Sequence, residues 1–146
     1  MAADEHTALA RRFHLDIFQH GNLAVADEII APDFVIHAPG LPPEAQRGPE
    51  GVKHYATLLR TGYPDLQVTH EETLPAGDKV VIRWIASGTQ TGALMGIPPT
   101  GKRMLVSGID IFRLADGKLV ELWQNWDQLG MLQQLGVVPT PGQAAS

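Results

Sequence analysis

The stretch that decides the fold reads RMLVSGIDIFRLADGKLVELWQNWD and covers residues 103–127. It contains two segments rich in β-branched and aromatic residues, 105–114 and 118–126, which predict two β-strands. The Ala-Asp-Gly sequence between them, at 115–117, predicts a three-residue hairpin loop with its glycine in the left-handed conformation. We therefore expect two adjacent antiparallel strands at the centre of the fold.

Asp110 is the polar residue that stands out in this hairpin. If Leu114 pairs with Lys118, Asp110 lies opposite Leu122 and diagonal to Gln124 on one face of the two strands. The other residues of that face are apolar, namely Phe112, Val120 and Trp126. A carboxylate among apolar neighbours is costly unless it is hydrogen-bonded, and desolvation raises its pKa toward neutrality. Asp110 is therefore the leading candidate for an acid–base group. The alternative is a carboxylate at a sheet edge that water or backbone satisfies.

The opposite face of the hairpin indicates a structural role. Its apolar residues are Ile109, Ile111, Leu119 and Trp123. Arg113 and Glu121 are expected to lie diagonal to each other on this face and to form a cross-strand ion pair.

Length and composition narrow the class of protein. The 146 residues fit one domain covering 1–146, and prolines and a glycine near the end predict a frayed tail at 137–146. The net charge of -5, without a basic run, argues against nucleic acid and anionic membranes as partners. The chain has no cysteine, which excludes disulfides and thiolate metal sites, and no apolar run is long enough to span a bilayer. We therefore expect a cytoplasmic protein.

The remaining chain predicts a helix-rich first part followed by strands. Apolar residues at helical spacing predict helices, whereas alternating segments between Gly and Pro predict strands. The expected elements are helices at 5–20, 23–30 and 49–62, strands at 33–37, 66–74 and 79–89, and, after the hairpin, a short helix capped by Asp127 and ending at Gly136. Helices over one face of a curved antiparallel sheet form an α+β cone. The expected fold is thus a cone-shaped α+β barrel whose N-terminal helices cover a pocket.

The second half of the chain resembles the SnoaL-like polyketide cyclases of the nuclear-transport-factor-like superfamily. The segments that carry the likeness are 64–66, 88–92, 96–102, 108–114, 116–123 and 134–136. The resemblance implies a barrel with a deep apolar pocket and cofactor-free closure of a ring by intramolecular aldol condensation of a polyketide ester. An acid–base residue on the pocket wall would take a proton from an activated carbon, and polar neighbours would hold the enolate oxygen.

The resemblance leaves the acid–base residue open. In the family's cyclases the working aspartate lies on one of the last two strands, at the position of Asp110 or of Gln124. In the second case this chain carries an amide in place of the base. A more distant likeness to ketosteroid isomerases places His14 at an oxyanion-holding tyrosine and Ala38 near the catalytic aspartate. His37 is then an imperfect substitute, because neighbouring strand residues face opposite sides.

These observations support three hypotheses: a cofactor-free ring-closing enzyme, a cofactor-free hydroxylase or isomerase/dehydratase of the same fold, and a non-catalytic small-molecule binding protein. The candidate catalytic residues are Asp110, Gln124, His37 and His14. The candidate substrate-binding residues are Phe18, Trp84, Met95, Phe112, Leu122 and Trp126.

The expected partners are an apolar small molecule and a second copy of the chain. The remaining histidines lack metal-ligand spacing, and no glycine-rich phosphate loop follows a strand, so we expect neither a metal nor a nucleotide cofactor. A monomer rarely exposes an apolar strip such as the one containing Ile109, Ile111 and Trp123, so we expect a homodimer.

Overall fold

The computed structural model describes residues 2–142, in which helices precede and cover a five-stranded sheet. The first helix, α1, is α-helical over Ala2–Arg12 and continues as a π-helix over Phe13–Gln19. The other elements are α2 (Ala24–Ile29), β1 (Ile30–His37), a 3₁₀ turn (Pro43–Ala45), α3 (Gly48–Gly62), β2 (Gln67–Ala76), β3 (Lys79–Thr89), β4 (Arg103–Ala115), β5 (Lys118–Trp126) and α4 (Gln128–Gln134). The predicted α+β architecture is confirmed.

The strands form one sheet in the order β1-β5-β4-β3-β2. Neighbouring strands are antiparallel, except that β1 runs parallel to β5. β1 begins earlier than expected, at Ile30, and contains Pro32. A proline is tolerated there because β1 is an edge strand, where one side of the backbone needs no ladder bond. In β4 the even-numbered residues from Met104 to Leu114 are buried and form the inner face of the sheet.

The hairpin between β4 and β5 has a shorter turn than predicted. Asp116 and Gly117 have positive φ angles of 52° and 76°, and Ala115 pairs with Lys118. Two central residues with positive φ define a type I′ turn, whose twist matches that of the flanking strands. The three-residue loop was therefore wrong.

The register of this hairpin also differs from the prediction. A bulge lies between the Arg113–Glu121 and Leu114–Leu119 pairs, so β5 contributes one extra residue, Val120. Leu119 is consequently fully buried, whereas Val120 is only half-buried, which reverses the faces predicted for these two residues. Beyond the bulge, Asp110 lies directly opposite Gln124 and not opposite Leu122. Arg113 and Glu121 are also directly opposite each other and form the expected ion pair at 3.2 Å.

Two helical segments carry polar side chains toward the inner face of the sheet. In the π-helix the buried residues are Phe13, His14, Ile17 and Phe18. In α3, Val52, Tyr55 and Ala56 are buried at the spacing of one helical face. His14 and Tyr55 are thereby held in the interior by the apolar neighbours on their own helices.

The last helix, α4, begins as predicted. The carboxylate of its N-cap residue Asp127 accepts a hydrogen bond from the backbone N–H of Gly130 at 2.9 Å. Residues 137–142 contain no helix or strand, and 143–146, the end of the expected tail, lie outside the described residues. No helix within 2–142 is both long and apolar enough to cross a membrane.

Candidate active site

Asp110 is the centre of a buried hydrogen-bond network. Its side chain has no exposed surface, and its two carboxylate oxygens have three partners. Trp84 donates through Nε1 to Oδ1 at 2.9 Å, and Gln124 donates through Nε2 to Oδ2 at 3.1 Å. His14 Nε2 lies 2.7 Å from Oδ2. Donors of this kind stabilise a carboxylate that has been removed from water, so the burial of Asp110 is compensated within the protein.

Gly108 makes room for the bond between Trp84 and Asp110. Trp84 on β3 pairs with Gly108 on β4, and Gly108 pairs with Trp126 on β5. A Cβ atom on Gly108 would stand 2.3 Å from Trp84 Cζ2 and 2.8 Å from Trp126 Cβ. The indole of Trp84 therefore packs over the bare backbone of β4, which brings its N–H to the carboxylate two residues further along.

His14 connects Asp110 to a second histidine, His70. Its other ring nitrogen, Nδ1, lies 2.7 Å from His70 Nε2, and the centroids of the two rings are 4.9 Å apart. His70 is half-buried on β2, where it pairs with Trp84. Burial, followed by repulsion from His14, lowers the pKa of His70 to about 4. His70 is therefore uncharged at neutral pH, and one nitrogen of this pair donates to the other.

Tyr55 completes the network on the side of Gln124. Its hydroxyl donates to Gln124 Oε1 at 2.6 Å. This bond fixes the side-chain amide so that its NH₂ group faces Asp110. Burial, and then the negative charge of Asp110, raises the pKa of Tyr55 well above its ordinary value. The hydroxyl is thus a donor at any pH at which the protein would work.

A cavity of about 60 Å³ lies beside this network, between the helices and the inner face of the sheet. His14, Tyr55 and Gln124 are on its wall, whereas Asp110 is behind them and does not line it. The remaining lining residues are Phe13, Phe18, Leu59, Tyr63, Leu66, Val68, Trp84, Ala86, Met104, Val106, Trp126 and Met131. None of the lining residues is Lys, Arg, Asp or Glu, so within the described chain the cavity wall is apolar with a few uncharged or imidazole groups.

The structure brings together only part of the predicted binding set. Phe18, Trp84 and Trp126 line the cavity. Phe112 and Leu122 are on the same face of the sheet, but each is completely buried in the closed core and neither reaches the cavity. Phe112 and Leu122 pair with each other two residues beyond Asp110, where the ring of Phe13 packs against Phe112 with the centroids 5.1 Å apart.

Met95 lies outside the site. It is 43% exposed and has a φ angle of 44°, within a turn in which Leu94 and Ile97 exchange backbone hydrogen bonds. This turn points Leu94 into the core and leaves Met95 on the surface. Met95 was therefore a wrong expectation for the pocket wall, whereas Leu94 belongs to the hydrophobic core and Ile97 packs against it.

His37 is also outside the site. It pairs in parallel register with Trp123, on the outer face of the sheet, and the two rings stack at 5.6 Å. Its Nε2 lies 2.7 Å from Glu121 Oε2. Because Trp123 and Glu121 face away from the helices, His37 cannot reach the cavity, so the prediction of a base at the pocket mouth was wrong.

Sequence reasoning missed His70 and Tyr55. No short sequence motif contains His70 together with its partner, because His14 is 56 residues away along the chain. Within residues 2–142, no three His, Asp or Glu side chains are placed to hold a metal ion. A regular pairing of β2 with β3 through the turn at Gly77 would set His70 opposite Ile85, and only the bulge between His70 and Glu72 moves it opposite Trp84.

Comparisons with known proteins identify chains that are similar to this one in sequence and in fold. Residues 8–135 match the family model of the SnoaL-like polyketide cyclases. The aklanonic acid methyl ester cyclase DnrD of Streptomyces peucetius is 32% identical over 120 residues, which cover 78% of this chain and 77% of DnrD. The solved structure of TsrD from Streptomyces laurentii has a TM-score of 0.81 and 31% identity, over 92% of this chain and 97% of TsrD. A protein of Catenulispora acidiphila with a ketosteroid isomerase-like fold has a TM-score of 0.70 over 88% of this chain and 92% of its own, and at 15% identity it shows the fold alone.

Proposed function

The chain belongs to the family of SnoaL-like polyketide cyclases and is an enzyme of that class. We propose that it closes a ring in an apolar, enolisable polyketide ester by intramolecular aldol condensation, without a cofactor. The observation that carries the proposal is the His14–Asp110 pair, in which a fully buried carboxylate holds an imidazole that opens onto an apolar cavity.

In this proposal His14 is the acid–base group and Asp110 orients it. Asp110 sits 2.7 Å from Nε2, so it fixes the tautomer of His14 and stabilises the imidazolium that forms when His14 takes a proton. Gln124 and Trp84 occupy other lone pairs of the carboxylate, which keeps Asp110 turned toward His14. The neutral state of His70 avoids a second positive charge next to that imidazolium.

In the proposed reaction His14 alone carries out both proton transfers. His14 Nδ1 exchanges its bond with His70 for contact with the substrate and takes the proton from the carbon between two activating groups. The resulting enolate carbon forms a bond to the acceptor carbonyl carbon, whose oxygen then takes the proton back from the imidazolium. No electron acceptor or donor is consumed, so the proposed chemistry needs no cofactor.

The cavity wall supports an uncharged substrate such as an ester. No Lys or Arg is among the described lining residues, so a free carboxylate would enter without a counter-charge. The cavity of about 60 Å³ is smaller than the roughly 300–1,000 Å³ of typical ligand pockets. We therefore expect the flexible side chains of Met104 and Met131 on the wall to move when a ring system enters.

The proposal is tested with aklanonic acid methyl ester, the compound named for the relative, as substrate. We expect His14→Gln and Asp110→Asn each to lower ring closure by about 10²–10⁴-fold, the range for a positioned proton-transfer group. His37→Gln, a matched change on the outer face, should keep the wild-type rate. Thermal unfolding checks that each variant is folded. Wild-type turnover by a folded His14→Gln protein would refute the acid–base role of His14.

A non-catalytic binding protein is the alternative. It is favoured by one observation: both ring nitrogens of His14 already have partners, Asp110 and His70, and neither is free for a substrate. Binding of the ester by the wild-type protein, without any ring closure or other conversion over the full assay, would support this function over the enzymatic one.

We further propose that two copies pair through the outer face of the sheet. Leu105 and Ile109 on that face are 62% and 49% exposed, which places apolar side chains in water unless they are covered. Sedimentation of wild-type protein should give a dimer, and Ile109→Lys should give a monomer. A monomeric wild-type protein would contradict the proposal.

A further inference from the structure

Two residues of the cavity wall each carry a buried hydrogen-bond donor that has no partner among the described residues. These donors are the hydroxyl of Tyr63 and the indole N–H of Trp126, and both atoms are buried. Folded proteins pair the large majority of buried polar atoms, so each unpaired donor in a native structure needs a physical reason. Tyr55, on the same wall, shows the usual situation, because its hydroxyl is paired with Gln124.

The packing of the Tyr63 ring does not explain why a hydroxyl group is present at this position. Its ring lies against Gly88, where an added Cβ would stand 3.0 Å from Tyr63 Cβ, and the residue has no exposed surface. A phenylalanine would fill the same space without burying an unpaired donor. Burial raises the pKa of Tyr63 to about 12, so the hydroxyl keeps its proton at neutral pH and remains a donor.

Tyr63 and Trp126 are attached at different levels of the cavity wall. Trp126 pairs with Gly108, and Gly88, which contacts Tyr63, pairs with Met104. Gly108 and Met104 are four residues apart on β4, which corresponds to about 13 Å along a strand. The wall between these levels is apolar and includes Val106 and Ala86. The two residues are therefore held at separate levels of the cavity wall, with an apolar stretch between them.

We infer that Tyr63 and Trp126 each donate a hydrogen bond to an acceptor oxygen of the substrate, and that the substrate carries these oxygens at two separated positions of an uncharged ring system. This inference rests on the proposed function for the place of the reaction and adds two residues that position the substrate. The two donors orient the ring system, whereas the His14–Asp110 pair acts on the reacting carbon.

An unreactive ring series isolates this recognition from catalysis. Biphenyl has no acceptor oxygen, 4-acetylbiphenyl has one and 4,4′-diacetylbiphenyl has one at each end. Dissociation constants are measured by equilibrium dialysis for the wild type, Tyr63→Phe, Trp126→Phe and the double variant. Trp123→Phe, a matched change on the outer face, serves as the control.

The wild type and the Trp123→Phe control should prefer the diketone over biphenyl, and each change of a donor should reduce that preference by about 3- to 10-fold, the value of one neutral hydrogen bond. Because the preference is a ratio of the dissociation constants of two ligands on the same variant, the loss of packing caused by Trp126→Phe cancels. A wild type that does not bind the diketone, or a preference that survives in the double variant, would overturn the inference.

Stability gives a second and independent readout. Because the Tyr63 hydroxyl is unpaired, Tyr63→Phe should leave the unfolding midpoint of the ligand-free protein unchanged or raise it, whereas Tyr55→Phe, which loses a bond to Gln124, should lower it. A clear loss of stability in Tyr63→Phe would assign the hydroxyl a structural role and overturn the inference. Ring closure by Asp110→Asn tests the proposed function separately, since the biphenyl series does not react.

Discussion

Replacing Gly108 by alanine should damage both the stability and the activity of the protein, although glycine is not needed there for its backbone conformation. Gly108 is not among the positive-φ residues, so alanine can adopt the same backbone. The added methyl group would stand 2.3 Å from Trp84 Cζ2 and 2.7 Å from Trp84 Cε2. The indole must therefore move away from the new methyl group by roughly 1 Å or more to reach an ordinary carbon–carbon contact distance.

The expected loss of stability has two contributions, both caused by this displacement of the indole. Overpacking of a well-filled interior costs about 1–3 kcal/mol. A shift of this size also breaks the 2.9 Å bond from Trp84 Nε1 to Asp110, and a lost bond to a buried charged group costs about 1.5–3 kcal/mol. We expect Gly108→Ala to lower the free energy of unfolding by about 3–5 kcal/mol.

Urea unfolding of three variants measures this reasoning. Trp84→Phe removes the indole N–H and also shortens the ring, so the clash should be weaker in the Gly108→Ala, Trp84→Phe double variant than in Gly108→Ala alone. The two changes should therefore cost less together than the sum of their separate effects. Ser107→Ala, the neighbouring exposed position, is the control and should change little. Additive losses, or wild-type stability in Gly108→Ala, would refute the account of Gly108 as the space that Trp84 requires.

The remaining predictions concern the effect of pH on stability and the loop at residues 91–101. The pKa of His70 is about 4 in the folded protein and about 6.5 in an unfolded chain, so the unfolded state binds more protons between these values and stability should fall as pH drops from about 6.5 to about 4. The contribution of His70 to this loss of unfolding free energy is about 2 kcal/mol after allowance for its partial exposure, and it should be absent in His70→Asn. Urea unfolding across that pH range measures it, and a pH profile of His70→Asn identical to that of the wild type would contradict the prediction. Gln90 is completely buried, and its amide donates to the carbonyls of Gly92, Ile97 and Pro98 and accepts from Thr100, so Gln90→Ala should unfold residues 91–101 locally. Faster hydrogen exchange confined to this loop, with the strands still protected, is the expected result, and uniform protection would argue against it.

Local patterns predicted the elements well. Strand β3 spans Lys79–Thr89 as expected, and α4 begins at its Asp127 cap, because alternation and capping depend only on neighbouring residues. The first helix was predicted as one unit from its apolar spacing, but its change to a π-helix at Phe13–Gln19 was not. That change depends on packing against the sheet, which spacing alone does not describe.

The composition of the active-site network was only partly predictable. The hairpin pattern placed Asp110 and Gln124 on the inner face, and the helix pattern placed His14 near its edge. Their direct contact needed the type I′ turn and the bulge at Val120, which slid β5 by two residues relative to the expected register. His70 and Tyr55 entered the network only through contacts that span 56 and 69 residues.

Two properties of this protein were determined by the sequence alone: the identity and order of its helices and strands, and the presence of one carboxylate on the apolar face of the last hairpin. Both depend on the chemistry of residues close together in the chain, where periodicity and turn preferences act. The tertiary structure decided that Asp110 would lie behind His14 and outside the cavity, that His37 would face outward, and that Tyr63 and Trp126 would keep unpaired donors on the cavity wall. These outcomes depend on strand register and on which helix covers which part of the sheet, because a shift of one residue moves a strand side chain to the opposite face.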